Sequence, residues 1–169
     1  MPDAPGQAQR RFKAFPVLSS DRLVLREVLE DDAPSIVDIS FYDGKAAKNE
    51  REAKAMLRKI NADVARGESS HWGATLKTGG GVIGTCGFYR GFGEHRGEIG
   101  YVLKEAYRGQ GIMTEALEQV IGYGFEHLAL CEIIAYTDED NVKSAGVLTR
   151  SNFEAVGHHD GYLKFLRKR

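Results

Sequence analysis

With 169 residues, 42% of them apolar and 28% charged, the chain has the make-up of one globular domain that can bury about 70% of its unfolded surface. Its 23 Lys and Arg against 24 Asp and Glu leave a net charge of -1, so neither counterion release on a nucleic acid nor attraction to an anionic membrane supplies a driving force. No apolar run approaches the ~20 residues of a membrane span. The opening stretch MPDAPGQAQRRFKAF lacks the apolar centre of a secretory signal, which makes the cytoplasm the expected compartment.

Residues 1–16 carry Pro, Gly, Gln and Arg without periodicity and are expected as a flexible arm ahead of a single domain over 17–169. From Asp21 the pattern sharpens. RLVLREV alternates, with Leu23 and Leu25 on one face and Val24, Arg26 and Val28 on the other, which predicts a strand. Asp31 or Asp32 is placed to cap a short helix carrying Ile36, Val37 and Ile39. Asn49 and Glu52 have the spacing of a capping box, opening a helix whose Ala53, Met56, Leu57, Ile60 and Val64 share one face. HWGATLK, GVIGTCGFYR and EIGYVL then read as strands, with Gly79-Gly80-Gly81 turning the first hairpin. A helix starting near Gly111 buries Met113, Ala116, Leu117, Val120, Ile121 and Phe125. CEIIAYT is apolar enough to predict a strand buried on both faces. Asn141 caps a short helix with Ala145, Val147 and Leu148 inward, and FEAVGHH with YLKFLRK closes the chain as a strand pair.

This order, β-α-α-β-β-β-α-β-α-β-β, predicts an α+β fold. The strand–helix–strand crossover over 98–138 implies a right-handed parallel pair inside an otherwise antiparallel sheet. Two cysteines, Cys86 and Cys131, are too few for a disulfide framework or a Cys-based metal site and are expected as reduced, mostly buried thiols. No metal is expected. An acyl-cysteine at Cys86 lacks an activating neighbour. His158 and His159 are adjacent on a strand and point to opposite faces, a poor chelate, so both are expected on the surface. Trp72 is expected as core or pocket wall.

Glycine is the compositional outlier. Twenty residues are about 12% of the chain against a typical ~7%, and eleven of them fall between Gly79 and Gly111. The segment YVLKEAYRGQGIMTEAL runs from strand through Arg108, Gly109 and Gly111 into a helix. A helix start leaves backbone N–H groups without partners, glycine lets an anion approach them, and Arg108 is placed to meet a second phosphate oxygen. The pattern fits a pyrophosphate, although glycine also serves such turns for geometry alone. It is not a Walker A loop, since no Lys follows Gly111, nor a Rossmann fingerprint, since the third glycine is missing.

Arg108-Gly109-Gln110-Gly111-Ile112-Met113 resembles the acetyl-CoA pyrophosphate loop, [QR]-x-x-G-x-[GA], of the GNAT N-acetyltransferase superfamily. RLVLR ending at Arg26, Gly97 to Leu103 (GEIGYVL) and Asn141 to Phe153 (NVKSAGVLTRSNF) resemble its RimJ/RimL branch of protein N-terminal acetyltransferases. The likeness runs over about residues 18 to 167, in the right order. Met113 departs from the Gly or Ala of the general pattern, and Asn152 stands where the branch usually has Gly; neither removes a backbone donor.

The resemblance implies a GNAT-like sheet, mostly antiparallel with one splayed parallel strand pair, flanked by about four helices. It implies acetyl-CoA as cosubstrate, with Tyr101, Val102 and Leu103 beside the pantetheine arm and the diphosphate on the amides of Arg108, Gly109, Gln110, Gly111, Ile112 and Met113. A backbone N–H near Tyr101 or Val102 is the expected oxyanion donor in a direct transfer from thioester to amine. Glu98 matches the position of a general base, against a plain reading as a strand glutamate paired with Arg96 or His95. Asn141 is expected to bond the pantetheine arm besides capping its helix, and Ser144 to assist the departing thiolate. Phe41, Tyr42 and Asp43 fall where the acceptor groove is framed. The acceptor is expected to be a primary amine, first the α-amine of a protein or peptide; a small amine, or a catalytically weak acyl-CoA-binding module, stays open. A homodimer is expected by resemblance, and no nucleic acid or membrane partner.

Overall fold

Side-chain alternation builds the main sheet. The computed structural model describes residues 14–90 and 92–169. Its strands are β1 (Leu18–Ser19), β2 (Leu23–Arg26), β3 (Phe41–Tyr42), β4 (Lys45–Ala46), β5 (Ser70–Leu76), β6 (Gly84–Arg90), β7 (Arg96–Leu103), β8 (Glu132–Thr137), β9 (Glu154–His159) and β10 (Tyr162–Lys168). Its α-helices are α1 (Glu50–Ala65), α2 (Ile112–Glu126) and α3 (Val142–Arg150). Eight strands form one sheet in the order β1-β2-β5-β6-β7-β8-β10-β9, while β3 and β4 make a separate hairpin that the sequence reading did not anticipate. Every neighbouring pair in the large sheet is antiparallel except β7 with β8. The fold is the expected mixed α+β architecture.

One face of the sheet is covered by α2, which sinks Ile112, Met113, Ala116, Leu117, Val120 and Ile121 against Trp72, Phe88 and Ile133. Each of these side chains larger than that of Ala116 contributes about 1.5–3 kcal/mol. A second cluster of Val28, Ile36, Ile39, Leu57 and Val82 takes in α1. Leu103 packs in the first cluster and Val102 against the second. Successive strand residues point to opposite faces, so the two clusters sit on opposite sides of β7.

Several local expectations need correction. The helix expected around Ile36 is two 3-10 turns, Glu30–Ser35 and Val37–Ile39, with Pro34 inside the first. Neither Asp31 nor Asp32 is the cap. Asp32 instead grips Arg26 through two bonds of 2.8 and 2.9 Å and accepts from the Leu29 amide at 2.8 Å. β8 is not buried on both faces: Ile133, Ala135 and Thr137 are buried, whereas Ile134 and Tyr136 are half-exposed because α2 and α3 cover one side only. Cys131 is exposed, since it precedes the buried strand; Cys86 is buried. Asn49 does cap α1, its side chain accepting from the Glu52 amide at 3.0 Å, while the Glu52 carboxylate accepts from the Lys48 amide at 3.0 Å and from Asn49 Nδ2 at 3.4 Å rather than from the Asn49 amide.

The expected arm falls mostly outside the described residues. Of its last three residues, Phe15 meets the Trp72 ring edge-on at 5.8 Å and the Pro16 carbonyl accepts from the Trp72 indole at 2.8 Å. Among the described residues no helix is long and apolar enough to cross a membrane.

Candidate active site

The parallel pair opens almost at once. β7 and β8 match at Arg96↔Glu132, Gly97↔Ile133 and Glu98↔Ile134, and the ladder ends there. Beyond it β7 stays paired only to β6, through Leu103↔Gly84, and β8 only to β10, through Thr137↔Leu163. Among the described residues the inner edges of Ile99–Leu103 and Ala135–Thr137 are therefore left without a strand partner, and the two strands bound a wedge. Amide direction along β7 follows from one bond. Lys104 donates to Ile83 O, towards β6, at 2.9 Å. With a repeat of two, Val102 N–H also faces β6, and the amides of Tyr101 and Leu103 face the wedge.

Tyr101 reaches across this opening. Its hydroxyl lies 2.8 Å from Ser144 Oγ and donates to Ser144 O at 3.1 Å, while Asn141 Oδ1 accepts from the Ser144 amide at 3.1 Å. Asn141 is thus the N-cap of α3, as read from sequence, and it lines the same cleft as Tyr101 and Val102. Burial pushes the Tyr101 phenol above its ordinary pKa, and the Ser144 hydrogen bond opposes that shift.

The turn from β7 into α2 has the form expected from its glycines. Gly109 and Gly111 sit at φ 73 and 74, left-handed backbone that glycine takes without strain. The first α2 amide bonded along the helix is Glu115 to Gly111 O at 3.0 Å. Among the described residues none accepts from the amides of Gly109 to Thr114, and a Cβ built on Gly109 would meet nothing within 4 Å. Buried Ile112 and Met113 side chains anchor the turn from beneath. Arg108 ties its Nε to Leu103 O at 3.0 Å, and Gln110 Nε2 donates to Ala106 O at 3.1 Å. These free amides at a helix start suit an anion such as a diphosphate.

Sequence reasoning missed what steadies this turn. Arg22 donates through Nε to Glu115 at 2.6 Å and through Nη1 to Gln110 O at 3.0 Å. Glu115 also accepts from Ser20 Oγ at 2.6 Å and from the Arg22 amide at 2.8 Å. Burial raises the Glu115 carboxyl, and these bonds outweigh it, leaving the pKa below its usual value. The signal was present in RLVLR, quoted for its pattern but given no task.

A cleft of about 1010 Å³ runs from Tyr101, Val102 and Asn141 to Phe41, Tyr42 and Asp43, over a floor containing Ser69, His71, Thr85 and Tyr89. Glu98 does not line it. It borders an adjoining hollow of about 300 Å³ with Arg90, Glu94, Arg96 and Ile134, and Arg90 belongs to both. The partner of Glu98 is Arg90, at 3.7 Å, rather than the expected Arg96 or His95; Arg96 is held by Glu132 at 2.6 Å. Burial raises the Glu98 carboxyl above the ordinary glutamate range, with Arg90 and His159 pulling it back. In the cleft floor, His71 Nδ1 and the Tyr89 hydroxyl share a 2.6 Å hydrogen bond, and burial pushes His71 down to about 4, so it is neutral near pH 7. Burial drives the Cys86 thiol up to about 12, the wrong direction for a nucleophile.

Comparison with known proteins agrees with this geometry. Residues 22–154 match the family model described as an acetyltransferase (GNAT) domain. The chain is 30% identical over 151 residues to the N-acetyltransferase YoaA of Bacillus subtilis (strain 168), itself uncharacterized, covering 85% of each. It is 28% identical over 160 residues to the [ribosomal protein uS5]-alanine N-acetyltransferase of Escherichia coli (strain K12), covering 86% of this chain and 82% of that one. Its fold superposes on Mycobacterium smegmatis RimJ, solved in complex with CoA-disulfide, with a TM-score of 0.76, 20% identity and coverage of 91% and 86%.

Proposed function

We propose that this chain, which belongs to the GNAT acetyltransferase family, moves an acetyl group from acetyl-CoA to the N-terminal α-amine of a protein or peptide. Membership makes it an N-acetyltransferase, and acetyltransferases of this family take the acetyl group from acetyl-CoA. The acceptor is our reading. The observation that carries it is Glu98: one half-buried carboxylate, on the last rung of the parallel ladder, its pKa raised by burial and drawn back by Arg90 at 3.7 Å.

A single carboxylate of that kind suits a weakly basic amine. An α-amine of pKa ≈ 7.7–8.0 needs about 1 kcal/mol to free its lone pair at pH 7, whereas a lysine at ≈ 10.4 needs about 4.6 kcal/mol. Relatives named as ribosomal-protein N-acetyltransferases support the same choice. So does a cleft that extends past the wedge residues Tyr101, Val102 and Asn141 as far as Phe41, Tyr42 and Asp43, leaving room beyond the arm.

The roles of the residues follow from their places. Amides of Gly109, Gln110, Gly111, Ile112 and Met113 receive the diphosphate at the α2 start, with the Arg108 head group beside them. Tyr101, Val102 and Leu103 flank the pantetheine arm as it fills the wedge, and Asn141 bonds it from the α3 cap. The wedge-facing Tyr101 amide, rather than that of Val102, meets the developing oxyanion. Glu98 takes the proton from the incoming ammonium, directly or through a water. Ser144, positioned by Tyr101, gives a hydrogen bond to the departing thiolate.

Thiol release from acetyl-CoA tests this reading against three acceptor sets: peptides with free α-amines, the same peptides blocked at the N-terminus but carrying lysine, and small amines. Release dependent on the free α-amine is expected. Equal release with blocked peptides, or turnover with small amines alone, contradicts it.

A further inference from the structure

We infer that the cleft selects an acceptor carrying a second positive charge, so that a polypeptide substrate has a Lys or Arg side chain close behind its α-amine. This deepens the proposal above and rests on it for the identity of the nucleophile.

Among the described residues, four charged side chains line the cleft: Asp43, Asp63, Arg90 and Asp138. Arg90 is engaged by Glu98 at 3.7 Å. Asp63 is held by Arg66 and accepts from the Tyr42 hydroxyl at 3.2 Å. Asp43 and Asp138 have no cationic partner among the described residues. They come from separate elements, the turn of the β3–β4 hairpin and the segment between β8 and α3. Lys59 rests over the Tyr42 ring at 5.4 Å and does not line the cleft. The concave surface therefore carries two uncompensated carboxylates, and a concave site concentrates their field.

Exposed carboxylates alone are ordinary solvated surface. A second feature makes this cleft a site. Ser69 lines it and is only 4% exposed, yet its hydroxyl has no hydrogen-bond partner among the described residues. A buried hydroxyl left unpaired costs free energy, which an N–H donor entering the cleft recovers. His71 beside it stays neutral near pH 7, because burial holds its pKa at about 4, and so adds no repulsion towards a cation. An ammonium or guanidinium thus finds hydrogen-bond acceptors on the floor and negative charge on the walls. A carboxylate-bearing acceptor meets repulsion.

The test measures kcat/KM with the full chain for three peptides identical except for Lys, Gln or Glu at the second position, with spermidine against butylamine as the small-molecule arm. The Lys peptide is expected to exceed the Gln peptide about fivefold, the size of one partly exposed ion pair, with the Glu peptide lowest. Asp43→Asn and Asp138→Asn each bring the Lys/Gln ratio towards one, as does added salt. Ser69→Ala raises KM for the Lys peptide without lowering the melting temperature of the free protein, a split that a purely structural serine does not give. Equal kcat/KM for the three peptides, or an unchanged KM in Ser69→Ala, overturns the inference while the α-amine reading stands. Inert peptides with spermidine acetylated in preference to butylamine overturn the α-amine reading and support the charge selection.

Discussion

The Tyr101 phenol oxygen lies 2.8 Å from Ser144 Oγ and 3.1 Å from Ser144 O, joining β7 to the first turn of α3 across the opening between β7 and β8. The Ser144 hydroxyl is therefore held by a second, half-buried hydroxyl rather than free to rotate. We expect the two to act as one unit. A thiolate leaving group near pKa 8.5 needs little help at neutral pH, so Ser144→Ala and Tyr101→Phe should each lower kcat only about threefold to tenfold. The double variant should be no slower than the slower single one, the signature of coupled residues. Steady-state kcat for the three variants checks this; multiplying effects would separate the residues.

Glu98→Gln should hurt more, lowering kcat/KM by about 10²–10⁴, the range of general acid–base catalysis. The pH profile carries the sign. The base works deprotonated and its pKa is raised by burial, so activity is lost as pH falls through that raised value. Because Glu98 takes its proton from the ammonium form of the acceptor, log kcat/KM should stay level below the amine pKa and fall with a slope of about one only where Glu98 itself protonates. Glu98→Gln should abolish that break. Arg90→Ala, which removes a charge that lowers the Glu98 pKa, should move that break to higher pH. A break that stays in place separates Arg90 from the base.

Much of this was legible in the chain. Alternation in RLVLREV and helical spacing in α2 report directly on which atoms meet water, so the main sheet and its covering helix could be read. The glycines at 109 and 111 marked a left-handed turn because few other residues take it without strain. What could not be read depends on contacts distant in sequence. Arg22 and Glu115 are 93 positions apart, and no local pattern announces that they meet. The Glu98 partner was missed because a bulge at Tyr89 puts Arg90, not a neighbour on its own strand, opposite it. The helix expected at Ile36 forms as two 3-10 turns, with Leu29 rather than Asp31 or Asp32 in the N-cap position and Pro34 inside the first turn. The cleft was only hinted at by Phe41 and Tyr42, since Ser69, just ahead of β5, His71 on β5 and Tyr89 on β6 converge without a motif.

Arg22 offers a third prediction. It bonds both Glu115 and the Gln110 carbonyl, and so fixes the turn whose amides face outward. Arg22→Ala should raise KM for acetyl-CoA about fivefold to tenfold, the loss of one or two charge-assisted hydrogen bonds, with kcat at saturation little changed. Initial rates against acetyl-CoA concentration decide it. A fall in kcat at constant KM would contradict a role in donor binding.

Gly97 lies on the closed part of the parallel ladder, opposite Ile133. A Cβ there would come within 2.8 Å of Leu130 and 2.9 Å of Phe88, both buried. Gly97→Ala should destabilise the fold by about 1–3 kcal/mol through overpacking, read as a lower urea midpoint with unchanged slope. An unaltered midpoint would mean that the β7–β8 junction has slack.

The account rests on the α2 start and the wedge forming one binding surface for the acetyl donor. A crystal structure with coenzyme A bound tests it most directly. The diphosphate should sit on the amides between Gly109 and Thr114, with the pantetheine arm between Tyr101–Leu103 and Ala135–Thr137 and the thiol near the Glu98 end. A diphosphate bound elsewhere, or an arm that leaves the space between β7 and β8 empty, would contradict it.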